Sequence, residues 1–115
     1  MFSLKNKVSI ITGGGSGIGK AISTLFAKQG SEVHILDLDD NTSVTVEEIN
    51  GSQGRAFFHK CNVADQQEIS TVVKLIIGTS NKIDILVNNA GIAHVGTIET
   101  TSEEDFLRAC RKRMR

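Results

Sequence analysis

The sequence predicts an α/β fold built on a doubly wound parallel sheet, and three observations predict it. Apolar runs of strand length alternate with segments of helical periodicity along most of the chain. The first strand runs into a glycine-rich turn, Thr12-Gly-Gly-Gly-Ser-Gly-Ile-Gly19, that opens directly into a helix. A later apolar run, Ile83-Asp-Ile-Leu-Val87, reads as a central strand covered on both faces. Strands separated by helices pair in parallel through right-handed crossovers.

The elements follow in order. Lys7 to Thr12 is a buried strand. Ile18, Ala21, Ile22, Leu25 and Phe26 recur at i, i+3, i+4, i+7 and i+8, the stripe of an amphipathic helix, which Gly30 closes. Glu32 to Leu38 is the second strand, Thr42 to Asn50 a short helix ended by Gly51, and Arg55 to Cys61 the third strand. Ile69, Val72, Val73, Ile76 and Ile77 mark the next helix, and Ile83 to Val87 the fourth strand, running into Asn88-Asn89-Ala90-Gly91. Ser102-x-x-Asp105 reads as a capping box for a last helix that includes Phe106 and Leu107. A strand order of 3-2-1-4 makes one mononucleotide-binding half of a Rossmann-type sheet plus the first step past its switch point. The sheet is therefore expected to be incomplete, with the fourth strand as an apolar edge prone to aggregation.

Composition narrows the function classes. The 115 residues suit one small domain or part of a larger one, and the net charge of zero sets up no global field for nucleic acid or acidic membranes. No apolar run is long enough to span a bilayer, and the N-terminus has no apolar core of a secretory signal. Two distant cysteines, Cys61 and Cys110, form no disulfide framework and suit reduced thiols in the cytoplasm. Proline, tryptophan and tyrosine are all missing, which suggests a chain without some expected parts.

The glycine turn carries the chemistry. Helix N-termini offer unpaired N–H groups and a partial positive charge, which is how a pyrophosphate is held. Gly13 allows the tight exit from the strand, Gly17 lets the pyrophosphate approach the chain, and Gly19 brings the helix near the sheet. Ser16 and the Ile18 N–H are candidate phosphate contacts. The spacing is Gly13-x-x-x-Gly17-x-Gly19, and the commoner G-x-G-x-x-G fits at no offset. A flexible turn is the plain alternative. Asp37, 18 residues after Gly19, is placed to accept hydrogen bonds from the hydroxyls of an adenosine ribose. A carboxylate there repels a 2′-phosphate, and no Arg or Lys lies in the loop or directly after Asp37 to offset it. The cofactor read from these residues is NAD rather than NADP. A solvated turn formed by Asp37, Asp39 and Asp40 is the plain alternative.

Four motifs in register give a specific resemblance. The glycine loop, Asp37, Cys61-Asn62-Val63 and Asn88-Asn89-Ala90-Gly91 stand in the order and spacing of the classical short-chain dehydrogenases/reductases. The opening Leu4-x-x-Lys7-Val8-x-Ile10-Ile11-Thr12-Gly13 also resembles theirs, so the likeness covers residues 1 to about 107. It implies that Asn89, Ala90 and Gly91 line the adenosine side of the cofactor, beside Leu38 and Val63, and that Asn88 with Thr12 stitches the central strands. Asn62 occupies a slot usually held by an Asp that binds the adenine amino group, and its amide oxygen still accepts that bond. The implied activity is hydride transfer between nicotinamide and a carbonyl or secondary alcohol, in enzymes that are commonly homo-oligomers.

The catalytic residues of that family have no place here. Its acid/base Tyr, the Lys that lowers the Tyr pKa and the Ser that orients the substrate find no counterpart, so no catalytic residue is assigned. Residues 108 to 115 depart from the pattern, with five positive charges in eight positions. The family's Val-Asn pair would put its Asn at position 113, where Arg113 stands. A basic patch for nucleic acid is one reading. The other is a frameshift, since codons for Arg-Lys-Arg-Met read one nucleotide later spell Val-Asn-Val, and it is preferred. The expectation is thus a domain over 1–107 with an aberrant tail, inactive alone, binding a dinucleotide but neither nucleic acid nor membrane. A non-catalytic NAD-binding regulatory module is the alternative.

The other reactive residues read as structural. His59-x-Cys61 lacks a second ligand pair, so no metal is assigned. His34 reads as a packed mid-strand side chain, His94 as part of a solvent-facing loop, and Cys110 lacks a setting that would make it a nucleophile.

Overall fold

The computed structural model describes residues 3–89 and the short strand Thr97–Ile98. The chain runs β1 (Val8–Thr12), α1 (Gly17–Lys28), β2 (Glu32–Asp37), α2 (Thr42–Gly51), β3 (Arg55–Lys60), α3 (Gln66–Ser80), β4 (Ile85–Asn88) and β5 (Thr97–Ile98). The sheet order is β3-β2-β1-β4-β5, with the first four strands parallel. The 3-2-1-4 order expected from the alternation of periods is therefore present.

The expected bare edge at β4 needs correction. Leu86 and Val87 pair antiparallel with Ile98 and Thr97, so β4 has a neighbour on each side. Two residues of strand carry no periodicity, which is why the sequence did not announce them.

Strand alternation sends side chains to two separate cores. On one face, Val8, Ile10, Leu36 and Leu86 pack with Ile69, Val73 and Ile76 of α3. On the other, Ile11, Val33, Ile35 and Val87 pack with Ala27 of α1 and Ile49 of α2. Ile10, Ile11, Val33, Ile35 and Leu86 are completely buried, as a sheet covered on both sides requires.

Local chemistry sets the element ends. Asp65 caps α3, its carboxylate accepting from the N–H groups of Gln67 and Glu68. Asn81 ends that helix in the left-handed conformation, with φ 68°. β4 begins at Ile85 rather than Ile83 because Asp84 takes over the pairing. Its N–H donates to the Val8 carbonyl at 2.8 Å, and its carboxylate accepts from the Val8 N–H at 2.8 Å. Ile83 remains buried in the core. The predicted helix around Phe106 and the segment 108–115 lie outside the described residues.

Candidate cofactor-binding site

The site forms at the carboxyl ends of the parallel strands, where β1 leaves the sheet and α1 begins. Gly13 and Gly17 both adopt positive φ, 66° and 57°, and so turn the chain sharply between the two elements. A Cβ on Gly19 would stand 2.0 Å from the Gly13 carbonyl oxygen. Only glycine lets the first turn of α1 approach the end of β1 so closely. A Cβ on Gly17 meets nothing within 4 Å, so that position faces open space. Ser16 and Ile18 are exposed on the same turn, and Ile18 lies in the first turn of α1.

Side chains from three other elements hold the loop's carbonyl oxygens. Asn89 Nδ2 donates to Gly13 O at 3.3 Å. Ser23 Oγ lies 3.5 Å from Gly14 O and also donates to Gly19 O at 2.9 Å. Thr45 Oγ1, on α2, donates to Gly15 O at 2.9 Å. A trans peptide points its carbonyl and its N–H in opposite directions. The Gly15 carbonyl drawn onto α2 therefore directs the following N–H, that of Ser16, away from that helix.

Asp37 ends β2, half-buried beside this loop. Its Oδ2 accepts from the Gly15 N–H at 3.3 Å and its Oδ1 from the Asp39 N–H at 3.1 Å. Leu38 follows, an apolar side chain that is 55% exposed. Lys60 is the register partner of Asp37 on β3, a cation that the sequence did not place near the site. Its ammonium pairs with Asp40, at 3.1 Å from Oδ1. Asn62 and Val63 follow β3, partly buried, and the Asn62 side-chain oxygen accepts from the Ala64 N–H at 3.0 Å.

The Thr12 hydroxyl donates to Asn88 Oδ1 at 2.9 Å and accepts from the Asn89 N–H at 3.0 Å, joining β1 to β4 beneath the loop. The structure thus brings Gly13, Ser16, Gly17, Ile18, Gly19, Asp37, Leu38 and Asn89 to one end of the sheet, with Asn62 and Val63 at the end of β3. Ala90, Gly91 and His94 lie outside the described residues. Sequence reading missed Ser23 and Thr45, whose residue types are unremarkable on helices and whose partners are 9 and 30 positions away.

The residues fit a dinucleotide. The turn at Ser16 and Gly17 is open, it leads into a helix N-terminus, and a half-buried carboxylate stands beside it. No group of three or more His, Cys, Asp or Glu among the described residues is placed to hold a metal. Burial, with help from Glu68 and Asp65, pushes the Cys61 thiol up to about 11, so it stays protonated near neutral pH. Among the described residues no helix is long and apolar enough to cross a membrane.

Comparison with known proteins agrees with this geometry. The family described as short chain dehydrogenase matches residues 7–112. An uncharacterized oxidoreductase of Thermotoga maritima is 46% identical over 105 residues, covering 90% of this chain and 41% of the relative. A metagenomic short-chain oxidoreductase in complex with NADP superposes with a TM-score of 0.75 at 29% identity, over 79% of this chain and 42% of that one. An oxidoreductase from Haemophilus influenza with bound NAD gives a TM-score of 0.69 at 32% identity, over 73% of this chain and 30% of its own. The chain spans about two fifths of the length of the relative it matches at 46% identity. With the family's glycine turn, strand order and sequence pattern all in place, the chain belongs to the short-chain dehydrogenase family of oxidoreductases.

Proposed function

We propose that this chain is the NAD-binding half of a dehydrogenase that moves hydride between nicotinamide and a carbonyl or secondary alcohol. One observation carries the reading: Asp37 Oδ2 is tied to the Gly15 N–H of the glycine loop, at the carboxyl end of β2. This supports the reading because a carboxylate beside the loop would meet the adenosine ribose if the pyrophosphate lay on the α1 N-terminus. The same carboxylate opposes the 2′-phosphate of NADP. The nearby Lys60 does little to offset it, because its ammonium is already shared with Asp40.

The chain's own residues bind and orient. Outward N–H groups of the glycine turn receive the pyrophosphate, Asp37 takes ribose hydroxyls, and Leu38 and Val63 flank the adenine with Asn62. The nicotinamide, when bound, supplies or accepts the hydride. The sequence contains no tyrosine, so this chain does not supply the acid/base group its family uses. General acid catalysis contributes roughly 10² to 10⁴ in rate, and turnover by the 115-residue chain is expected to be negligible.

Titrating the purified chain with NAD and NADP tests this. NAD is expected to bind more tightly, with Asp37→Ala narrowing the difference. Tighter NADP binding overturns the cofactor preference, and absence of binding to either nucleotide overturns the binding role. Dehydrogenase turnover by the chain alone overturns the non-catalytic assignment.

A further inference from the structure

We propose that Thr45 is a positioning residue for the phosphate-binding turn: its hydroxyl fixes the Gly15–Ser16 peptide so that the Ser16 N–H faces the anion. This rests on the dinucleotide-binding role proposed above and deepens it. Thr45 lies on α2, in a different element from the turn, and is 3% exposed. Its Oγ1 donates to the Gly15 carbonyl at 2.9 Å across 30 residues of sequence. Because carbonyl and N–H oppose each other across a trans peptide, the Ser16 N–H is directed away from α2. Among the described residues that N–H has no partner, and Ser16 is exposed.

The neighbouring peptide is held from both ends. Gly14 O faces Ser23 Oγ at 3.5 Å, while the Gly15 N–H on the same peptide donates to Asp37 at 3.3 Å. That N–H is therefore engaged, and the next one along the chain, at Ser16, is available to the ligand together with the first N–H groups of α1. α2 also closes the space behind Gly15, since a Cβ there would stand 2.2 Å from Thr42 Oγ1. Thr42 is 1% exposed and its hydroxyl has no partner among the described residues. Gly15 is thus packed against α2, with Thr45 supplying the single directional bond that decides which way its carbonyl points.

The test uses the 115-residue chain, NAD as the probe, and two variants. Thr45→Val keeps the shape and removes the hydroxyl, and is expected to weaken NAD binding about five- to tenfold, the worth of one ordinary hydrogen bond. Thr45→Ser restores the hydroxyl without the methyl group and is expected to recover most of that affinity. The Ser16 amide resonance is expected to shift in Thr45→Val without ligand and to return toward its original position in Thr45→Ser. NAD affinity equal in Thr45→Val and the parent overturns the proposal. So does an equal loss in both variants, which would show that the hydroxyl alone does not restore the affinity. If Thr45→Val does not fold, Thr45→Ala takes its place. A parent chain that binds no NAD, with its Ser16 amide still moved by Thr45→Val, would sink the dinucleotide reading and the ligand role of Thr45 with it, leaving only the peptide geometry.

Discussion

Thr12 and Asn88 meet at the point where β1 and β4 leave the sheet: the Thr12 hydroxyl donates to Asn88 Oδ1 at 2.9 Å while accepting from the Asn89 N–H at 3.0 Å. Both residues are 1% exposed. Removing the hydroxyl strands a buried amide oxygen and a backbone N–H that water reaches poorly. Thr12→Val is therefore expected to cost about 1–3 kcal/mol, read as a lowered urea midpoint at unchanged slope.

Gly19 is the least replaceable position of the turn. Its missing Cβ is only 2.0 Å from the Gly13 carbonyl, and the obstacle is backbone, which yields only by moving the strand end. Gly19→Ala is expected to destabilise the chain by about 1–3 kcal/mol and to abolish measurable NAD binding. Gly51→Ala makes the contrast. A Cβ there meets nothing within 4 Å, and its thermal midpoint is expected to match the parent's or exceed it.

Asp65 holds two N–H groups at the start of α3, those of Gln67 and Glu68. Asp65→Ala is expected to cost about 1 kcal/mol, and Asp65→Ser to recover most of it. Equal stability of Asp65→Ala and the parent would mean that the cap is replaced by solvent.

The outer part of the α3-side sheet face carries a line of ionisable groups. Glu32 Oε2 lies 2.7 Å from His34 Nε2, and His34 Nδ1 lies 2.8 Å from His59 Nε2. A proton on His34 Nε2 serves Glu32, which leaves His34 Nδ1 to accept from a neutral His59. Burial, then the charge of His34, lowers His59 to about 4, and burial also lowers His34 against the pull of Glu32. Burial pushes the Glu32 carboxyl upward, but hydrogen bonds from Ser80 and His34 and the charges of His34 and Arg55 outweigh it and leave it lowered. Between about pH 6.5 and about 4 the unfolded chain binds a proton at His59 that the folded chain refuses. Stability is thus expected to fall as pH drops through that window. His59→Phe should flatten this part of the curve, as followed by the urea midpoint at each pH. The loss of Glu32's contribution follows at lower pH, as its carboxylate protonates.

Much of this was legible from residue types because it is governed by local periods. The 3.6-residue stripe from Ile18 to Phe26 and the apolar runs of β1 and β2 specify which faces are buried, and burial specifies the layers. The turn was legible because glycines at 13, 17 and 19, set between a strand and a helix, mark a sharp bend and a close backbone approach. What escaped depends on pairing between distant segments. Glu32 and His34 share a strand face by alternation alone, yet the contact with His59 needs the register that sets His34 opposite Phe57. The tethers from Ser23 and Thr45 use hydroxyl residues that occur on any helix, and nothing local marks their targets. β5 is two residues long, too short for a period to show.

The three tethers of the glycine turn come from the end of β4, from α1 and from α2, reaching back 76, 9 and 30 residues. The shape of the turn therefore exists only once those elements have docked, and it is lost when any one of them leaves. A ligand seated there draws on the cohesion of the whole sheet and not on a preformed local loop. Nucleotide added to the folded chain should protect the amides of β4 and α2 from exchange as strongly as those of the turn itself. Occupancy of the turn and assembly of the sheet are, in energetic terms, one equilibrium.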